Sequence, residues 1–288
     1  MLVTAGGRRP PRRGAAPNQM KISEPRTIGP ADLSPDAKIR VYTVVKGVEH
    51  AHLAVKSQAS YVVISHLKAS LFLVDTQADE YVRAVAKEFG IEVLCRRRAD
   101  FPFPKLKDDF WDLMFIRFHP VVWLNDRFIL HVDSDTINYR DIGHLDLTGR
   151  IGAVEEDQGK SRSLTIKRDK GIAGWSCDLK VYCNSGVIGF DRAVMVEFAA
   201  MFWGLARNDL QKGLLYTAPM HDQTYFNRLI NGEFAARLLV LPGRYNELWA
   251  DQPDTIIRHI AGGCSARKTK VVEELLAGFL RDARRMRA

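Results

Sequence analysis

Between residues 39 and 95 the hydrophobic pattern switches repeatedly between two periods, and that alternation constrains the fold more than any other feature. "IRVYTVV" (39–45) is β-branched and flanked by charge and Gly47, which predicts a strand. A helical stretch follows around 50–66, then "SLFLVD" (70–75) as a second strand. "QADEYVRAVAKEFG" (77–90) predicts an amphipathic helix closed by Gly90, and "IEVLC" (91–95) a third strand. Strand, helix, strand, helix, strand is the order of a parallel sheet with crossover helices, so an α/β domain is expected. At 288 residues and 46% hydrophobic, the chain can bury one large core of this kind, with or without appendages.

Downstream the pattern predicts a helix near 108–119, strands at 127–135 and 150–156, and a glycine-interrupted strand at 181–190. Helices follow at 192–206 and 221–230, short strands at 237–242 and 255–261, and a final helix at 269–286. Residues 157–176, polar and glycine-containing, and 205–220 read as loops. Residues 1–36 are rich in Pro, Gly, Arg and Ala with no hydrophobic period, and predict a flexible basic tail.

The net charge of +8 sits in the two ends. Arg8, Arg9, Arg12, Arg13, Lys21 and Arg26 outnumber Glu24, and Arg281, Arg284, Arg285 and Arg287 outnumber Asp282, so the middle of the chain is balanced. This argues against a nucleic-acid-binding core. The four cysteines (Cys95, Cys177, Cys183, Cys264) have no zinc-like spacing, and a domain this long does not need disulfides. No apolar run is long enough to span a membrane, and the start lacks a secretory signal, so a cytoplasmic location is expected. The final helix sets Val272, Leu275, Leu276, Phe279 and Leu280 at helical spacing among basic residues. It either packs on its own domain or docks peripherally on an anionic membrane, here the inner face.

"ILHVDSDTINYRDI" (129–142) ends an apolar run in two carboxylates, Asp133 and Asp135. Residues i and i+2 of a strand share a face, so both carboxylates can meet just past the strand's C-terminal end, where open parallel sheets bind ligands. Two adjacent like charges call for a cation, and Mg²⁺ or Mn²⁺ suits their oxygens. A solvated turn with helix-capping Asp residues is the competing reading, and the apolar strand in front favours the metal.

This segment resembles the DxD region of glycosyltransferase family 8. "NSGVIGF" (184–190), "DQTYFN" (222–227), "LPGRYN" (241–246) and "IIRHIAGG" (256–263) are similar to further elements of that family, in its order. The resemblance implies a GT-A nucleotide-diphospho-sugar transferase fold over residues 37–263: three layers, α/β/α, around a mixed, mainly parallel sheet. Residues 264–288 would then form a basic C-terminal helical extension. It further implies a metal, Mn²⁺ or Mg²⁺, held by Asp133, Asp135 and His259. Asn184, Ser185 and Gly186 would line the donor-sugar and acceptor side. Asp222 would hold a sugar hydroxyl with Gln223 near the anomeric carbon, although Asp222 also fits a helix N-cap. Arg117 would face the nucleotide, and Gly262 with Arg267 or Lys268 the phosphates. His131, on the strand face of the Asp pair, is expected to support or pack rather than to bind metal.

Two elements depart from the family pattern. "TVVKGVEH" (43–50) lacks the aspartate that contacts the nucleobase, and the Lys-Pro-Trp after the histidine is missing. The resemblance implies metal-dependent transfer of a sugar, from a UDP-hexose or similar nucleotide-sugar donor to a sugar, lipid or protein acceptor, with retention of configuration. Two other readings stand beside it. One is a phosphohydrolase of the haloacid dehalogenase type, whose Asp-x-Asp motif "VDSDTI" superficially resembles. The other is a non-catalytic glycosyltransferase-like binding protein.

Overall fold

The protein is seen in a computed structural model that describes residues 39–156, 179–218, 220–248, 252–260 and 266–287. The tail 1–36, the segment 157–176, Cys177, Gly262 and Cys264 lie outside the described residues, as do the side chains of Arg267, Lys268 and Val272.

The expected alternation is present: β1 (Ile39–Val45), α1 (Val48–Ser65), β2 (Lys68–Val74), α2 (Glu80–Phe89) and β3 (Glu92–Arg96). Asp79 starts α2 by accepting from Val82 N at 2.9 Å, and Gly90 ends it at φ 68°, a left-handed conformation that glycine adopts without strain. Next come α3 (Asp109–Ile116), β4 (Phe128–Val132), β5 (Thr136–Asn138), β6 (Ile151–Glu155), β7 (Cys183–Asp191) and α4 (Arg192–Gln211). The chain continues through α5 (His221–Asn231), β8 (Leu238–Leu241), β9 (Ile257–His259) and α6 (Ala266–Arg287).

Seven strands form one sheet in the order β3-β2-β1-β4-β7-β6-β8. Neighbours are parallel except β7, which runs antiparallel to both β4 and β6. The sheet is therefore mixed and mainly parallel, as expected. Period-2 alternation splits its residues between two cores. Val41, Val45, Leu71, Leu73, Leu130 and Val132 pack with α1 and α2. Tyr42, Val44, Phe72, Val74 and Ile129 pack on the other face with α3, α4 and α5. The layers are α/β/α.

Three boundaries differ from the sequence expectation, each for a local reason. The strand expected over 127–135 stops at Val132. Asp133 N donates to Gly186 O at 2.8 Å, the Thr136 hydroxyl donates to Asp133 O at 2.9 Å, and the chain turns into β5. The two aspartates thus converge through a turn rather than along a strand face. β7 runs unbroken through Gly186, where a glycine is needed because other side chains press on it. α4 continues to Gln211, so the first part of the expected 205–220 loop is helix.

β5 pairs antiparallel with β9 in a separate two-stranded sheet, with Thr136 opposite His259. It rests on polar atoms of α1: Ser57 and Tyr61 hydroxyls lie 3.1 Å from Thr136 Oγ1, and Ser60 Oγ accepts from Asn138 N at 2.9 Å. α6 buries Leu276, Phe279, Leu280 and Ala283, packs on α1, and pairs Arg284 with Glu88 of α2 at 2.7 Å. Most of its described apolar side is thus used within the chain, while Leu275, Arg281 and Arg285 face outward. Among the described residues no helix is long and apolar enough to cross a membrane. Cys95 and Cys183 are free thiols.

Truncating Leu276, which is fully buried, should cost about 2–5 kcal/mol through the cavity it leaves. Gly204→Ala, on an exposed turn of α4 with open space around the added methyl, should gain about 0.5–1 kcal/mol. Urea midpoints shifted in these opposite directions would verify both; a neutral Leu276→Ala would mean that α6 is not docked.

Candidate metal and donor site

Asp133 and Asp135 leave β4 through the turn, and His259 ends β9. The β5–β9 pairing brings the three together, with a ligand atom of each within 4.8 Å of the others. His259 Nε2 lies 3.6 Å from Asp133 Oδ2 and 3.4 Å from Asp135 Oδ1. The opposite ring nitrogen, Nδ1, bonds Asn246 Oδ1 at 2.9 Å, and Asn246 Nδ2 donates to Asn184 Oδ1 at 3.0 Å. An acceptor on Nδ1 puts the proton there and turns the Nε2 lone pair toward the carboxylates. A lone pair facing two carboxylates is unfavourable unless a proton or a metal stands between them. Burial opposes charging His259, but the Asp135 and Asp133 carboxylates outweigh it and pull its pKa up. Two hard oxygens and one imidazole nitrogen, held from outside by an amide, fit Mn²⁺ or Mg²⁺.

Gly186 makes room for this cluster. A Cβ there would lie 2.2 Å from His259 Cε1 and 2.8 Å from Asp133 Oδ2. Its glycine identity is therefore a requirement of packing against the ligands.

Arg117, at the end of α3, is buried rather than free to reach a nucleotide. Its Nη1 donates to Ser185 O at 2.8 Å and stands 3.2 Å from Asp133 Oδ1, while Nη2 is 2.7 Å from Asp222 Oδ2. The Asp222 carboxylate is turned to this guanidinium, and α5 has no side-chain cap, which corrects the capping expectation. Burial raises the Asp222 pKa to about 6 against the pull of Arg117. Burial works the same way on Asp133, but Arg117, a hydrogen bond from His131 and the nearby His259 overcome it and hold that carboxylate low. His131 Nε2 lies 3.0 Å from Arg117 Nη1 and 3.3 Å from Asp133 Oδ1, and burial lowers its pKa to about 4, so it is neutral.

Gln223 lies on the same wall. Its Oε1 accepts from Ser185 N at 3.1 Å, and its Nε2 donates to Glu156 Oε2 at 3.2 Å and to Tyr182 Oη at 3.1 Å. With the Ser185 hydroxyl also donating to Oε1 at 3.4 Å, four contacts set the orientation of the amide. Asn227 locks α5 to β7 through both backbone groups of Cys183.

Asp133, Asp135, His259, Asn184, Ser185, Gly186, Arg117, Asp222 and Gln223 are thus one contiguous group. Gly262 and the Lys268 side chain are outside the described residues. Sequence reasoning missed Glu156, Tyr182 and the role of Asn246. Asn246 was within reach as the last residue of "LPGRYN"; Glu156 and Tyr182 carry no local signal.

No protein-family model matches the chain, and no curated protein matches it by sequence. Solved structures do match. The galactosyltransferase LgtC with donor and acceptor sugar analogues superposes at TM-score 0.57 and 16% identity, over 83% of this chain and 95% of that one. An active-site Gln→Glu variant of LgtC gives 0.56 and 18% over the same shares. Mouse xyloside xylosyltransferase 1 gives 0.50 and 16%, over 78% and 98%. At these identities the likeness is one of fold. The chain has the GT-A fold, and its structural neighbours are family 8 glycosyltransferases, the family the motifs resemble. The phosphohydrolase reading falls with that finding, because its Asp-x-Asp ends the first strand of a different fold and here follows β4.

Gly186→Ala should leave a folded protein with Mn²⁺ affinity down at least about tenfold, because the methyl displaces two ligands. Calorimetry would show it, and an unchanged affinity would count against this cluster as the metal site. Binding must also displace the proton that the carboxylates favour on His259. Apparent Mn²⁺ affinity should therefore climb as pH rises through the raised His259 pKa, with proton release measurable in buffers of different ionisation enthalpy.

Proposed function

We propose that the chain is a metal-dependent glycosyltransferase that moves a hexose from a UDP-sugar to an acceptor with retention of configuration. The observation that carries this reading is the convergence of Asp133, Asp135 and His259 from separate segments, beside half-buried Asn184 and the buried Ser185, Asp222 and Gln223, on a GT-A fold. Bound at the triad, Mn²⁺ or Mg²⁺ would supply Lewis-acid stabilisation of the charge on the departing nucleoside diphosphate.

The chain's own residues do the rest. Asp222 is above its pKa at neutral pH, so it accepts a hydrogen bond from a donor-sugar hydroxyl while Arg117 balances its charge. Gln223 reaches the wall with its amide already oriented, which spares reorganisation when positive charge develops at the anomeric carbon. An LgtC variant bears its Gln→Glu change in the active site, which supports a working role for Gln223. Asn184 and Ser185 line the donor-sugar side and Gly186 allows close approach. The acceptor attacks from the face the diphosphate leaves, and no protein nucleophile is required.

Phosphate contact through Gly262 and Lys268 follows from the resemblance. At the end of β1, Lys46 pairs with Asp109 at 2.9 Å, next to where the family's base-contacting aspartate is missing. With Leu276, Phe279 and Leu280 of α6 packed inward, contact with an anionic membrane would be mainly electrostatic, through Arg281 and Arg285, and weakened at high salt.

Calorimetry with UDP should give micromolar binding that disappears with chelator and in Asp135→Ala with Mn²⁺ present. Absence of UDP binding under every condition would sink the UDP reading and favour the non-catalytic alternative. Asp222→Asn, which keeps size and removes charge, should lower transfer about 100-fold while UDP affinity stays near wild type. A loss confined to UDP affinity would move Asp222 from the sugar to the nucleotide.

A further inference from the structure

The small sheet that carries His259 is too short to hold itself together. β5 and β9 contribute three residues each and come from distant parts of the chain, with no turn to join them. Two strands of this length are marginal in water unless a helix packs on them. Strand alternation puts Thr136 and His259, which lie opposite one another, on one side of the pair, and Ile137 and Arg258 on the other. The first side meets the Ser57 and Tyr61 hydroxyls of α1 through Thr136. On the second, Ile137 packs with Leu53 of α1 and Leu276 of α6, and Tyr139 and Ile260 pack against them.

This group is separate from the contacts that seat the rest of α6. Phe279, Leu280 and Ala283 join the larger core with α1 and α2, whereas Leu276, fully buried, is the described residue of α6 that reaches β5. Its neighbours stand next to metal ligands. Ile260 follows His259 and donates its N–H to Asp135 O at 3.0 Å, and Ile137 is two residues beyond Asp135. A side chain with no polar atom, on a helix that offers no ligand, thus packs on the segments that bring the triad together.

We infer that Leu276 is a positioning residue for the metal ligands: docked on Leu53, Ile137 and Ile260, it keeps β9 paired with β5 and His259 beside Asp133 and Asp135. When the pair opens, His259 departs and two carboxylates remain. Metal affinity then falls with the fraction of chains that are closed. The coupling is reciprocal, so a bound ion favours docking of α6 by the same factor. This deepens the proposed function and rests on its metal site, not on the sugar transferred.

The test is Mn²⁺ titration by calorimetry on the full chain, below the melting range of every variant. Leu276→Ala and Ile137→Ala truncate two sides of one contact. Each should weaken Mn²⁺ binding about tenfold, and the double variant should lose little more than either. Leu276→Met, which keeps the volume, should bind nearly as wild type. Leu124→Ala removes the same atoms from the core on the other face of the large sheet and should leave affinity unchanged. Equal effects of the two leucine truncations would mean a general loss of stability and overturn the inference. If Leu276→Ala does not fold, hydrogen exchange on the unaltered chain decides. Amides of α6 should exchange more slowly with Mn²⁺ than with chelator, and equal rates in a chain that binds the ion would overturn the coupling. No Mn²⁺ binding by the unaltered chain would sink the metal reading and this inference together. Binding lost in Asp135→Ala but indifferent to Leu276→Ala and Ile137→Ala would sink the inference alone.

Discussion

A single buried guanidinium organises the polar floor of this molecule. Arg117 is 4% exposed at its side chain, and it holds Asp133, Asp222, the Ser185 carbonyl and the His131 ring. Its own carbonyl accepts from the Tyr42 hydroxyl at 2.8 Å. A cation in that position would cost several kcal/mol if it were unpaired, and so would either carboxylate. Each of the three charges therefore makes the other two tolerable. Because they come from α3, the end of β4 and α5, the pairing also fixes how those elements sit on the sheet.

The ligand cluster is held from the side opposite Arg117 by a second polar structure. α1 is buried on nearly every side, yet it carries Ser57, Gln58, Ser60 and Tyr61 where an amphipathic helix would have only apolar groups. Gln58 Nε2 donates to Thr43 Oγ1 at 2.7 Å, and the hydroxyls of the others hold β5. Burying these groups is tolerable because the hydroxyls and Gln58 Nε2 bond to Thr43, Thr136 and Asn138, and the result is a stiff bed beneath Asp133 and Asp135. Ligands that are already positioned lose little freedom when an ion binds.

How much of this the sequence disclosed depends on the range over which each feature is encoded. The β1 to β3 alternation was readable because each element announces itself within ten residues, by β-branching, by the Asp79 cap or by Gly90. The Asp133–Asp135 pair was readable as a site because carboxylates at the end of an apolar run have few other uses, although they meet through a turn that depends on Gly186 far along the chain. The antiparallel insertion of β7 between β4 and β6 had no local signature. Arg117 was expected to face a nucleotide, and nothing near it in the chain marks Asp133 and Asp222 as its buried partners. Gly186 read as a break in a strand, while its real constraint is the volume of His259. Glu156 and Tyr182 matter only because α5 carries Gln223 to them.

The pairing of β5 with β9 has a consequence for how the protein is made. Asp133 and Asp135 leave the ribosome well before His259, by an interval on the order of ten seconds at ordinary elongation rates. During it β1 to β4 can assemble, but β5 has no partner strand, the Asn246–His259 bond does not exist, and the two aspartates face water with Arg117 as their nearest counter-charge. A nascent chain that lacks β9 carries at most two of the three ligands, so the complete triad exists only once the final strand has been made and paired with β5.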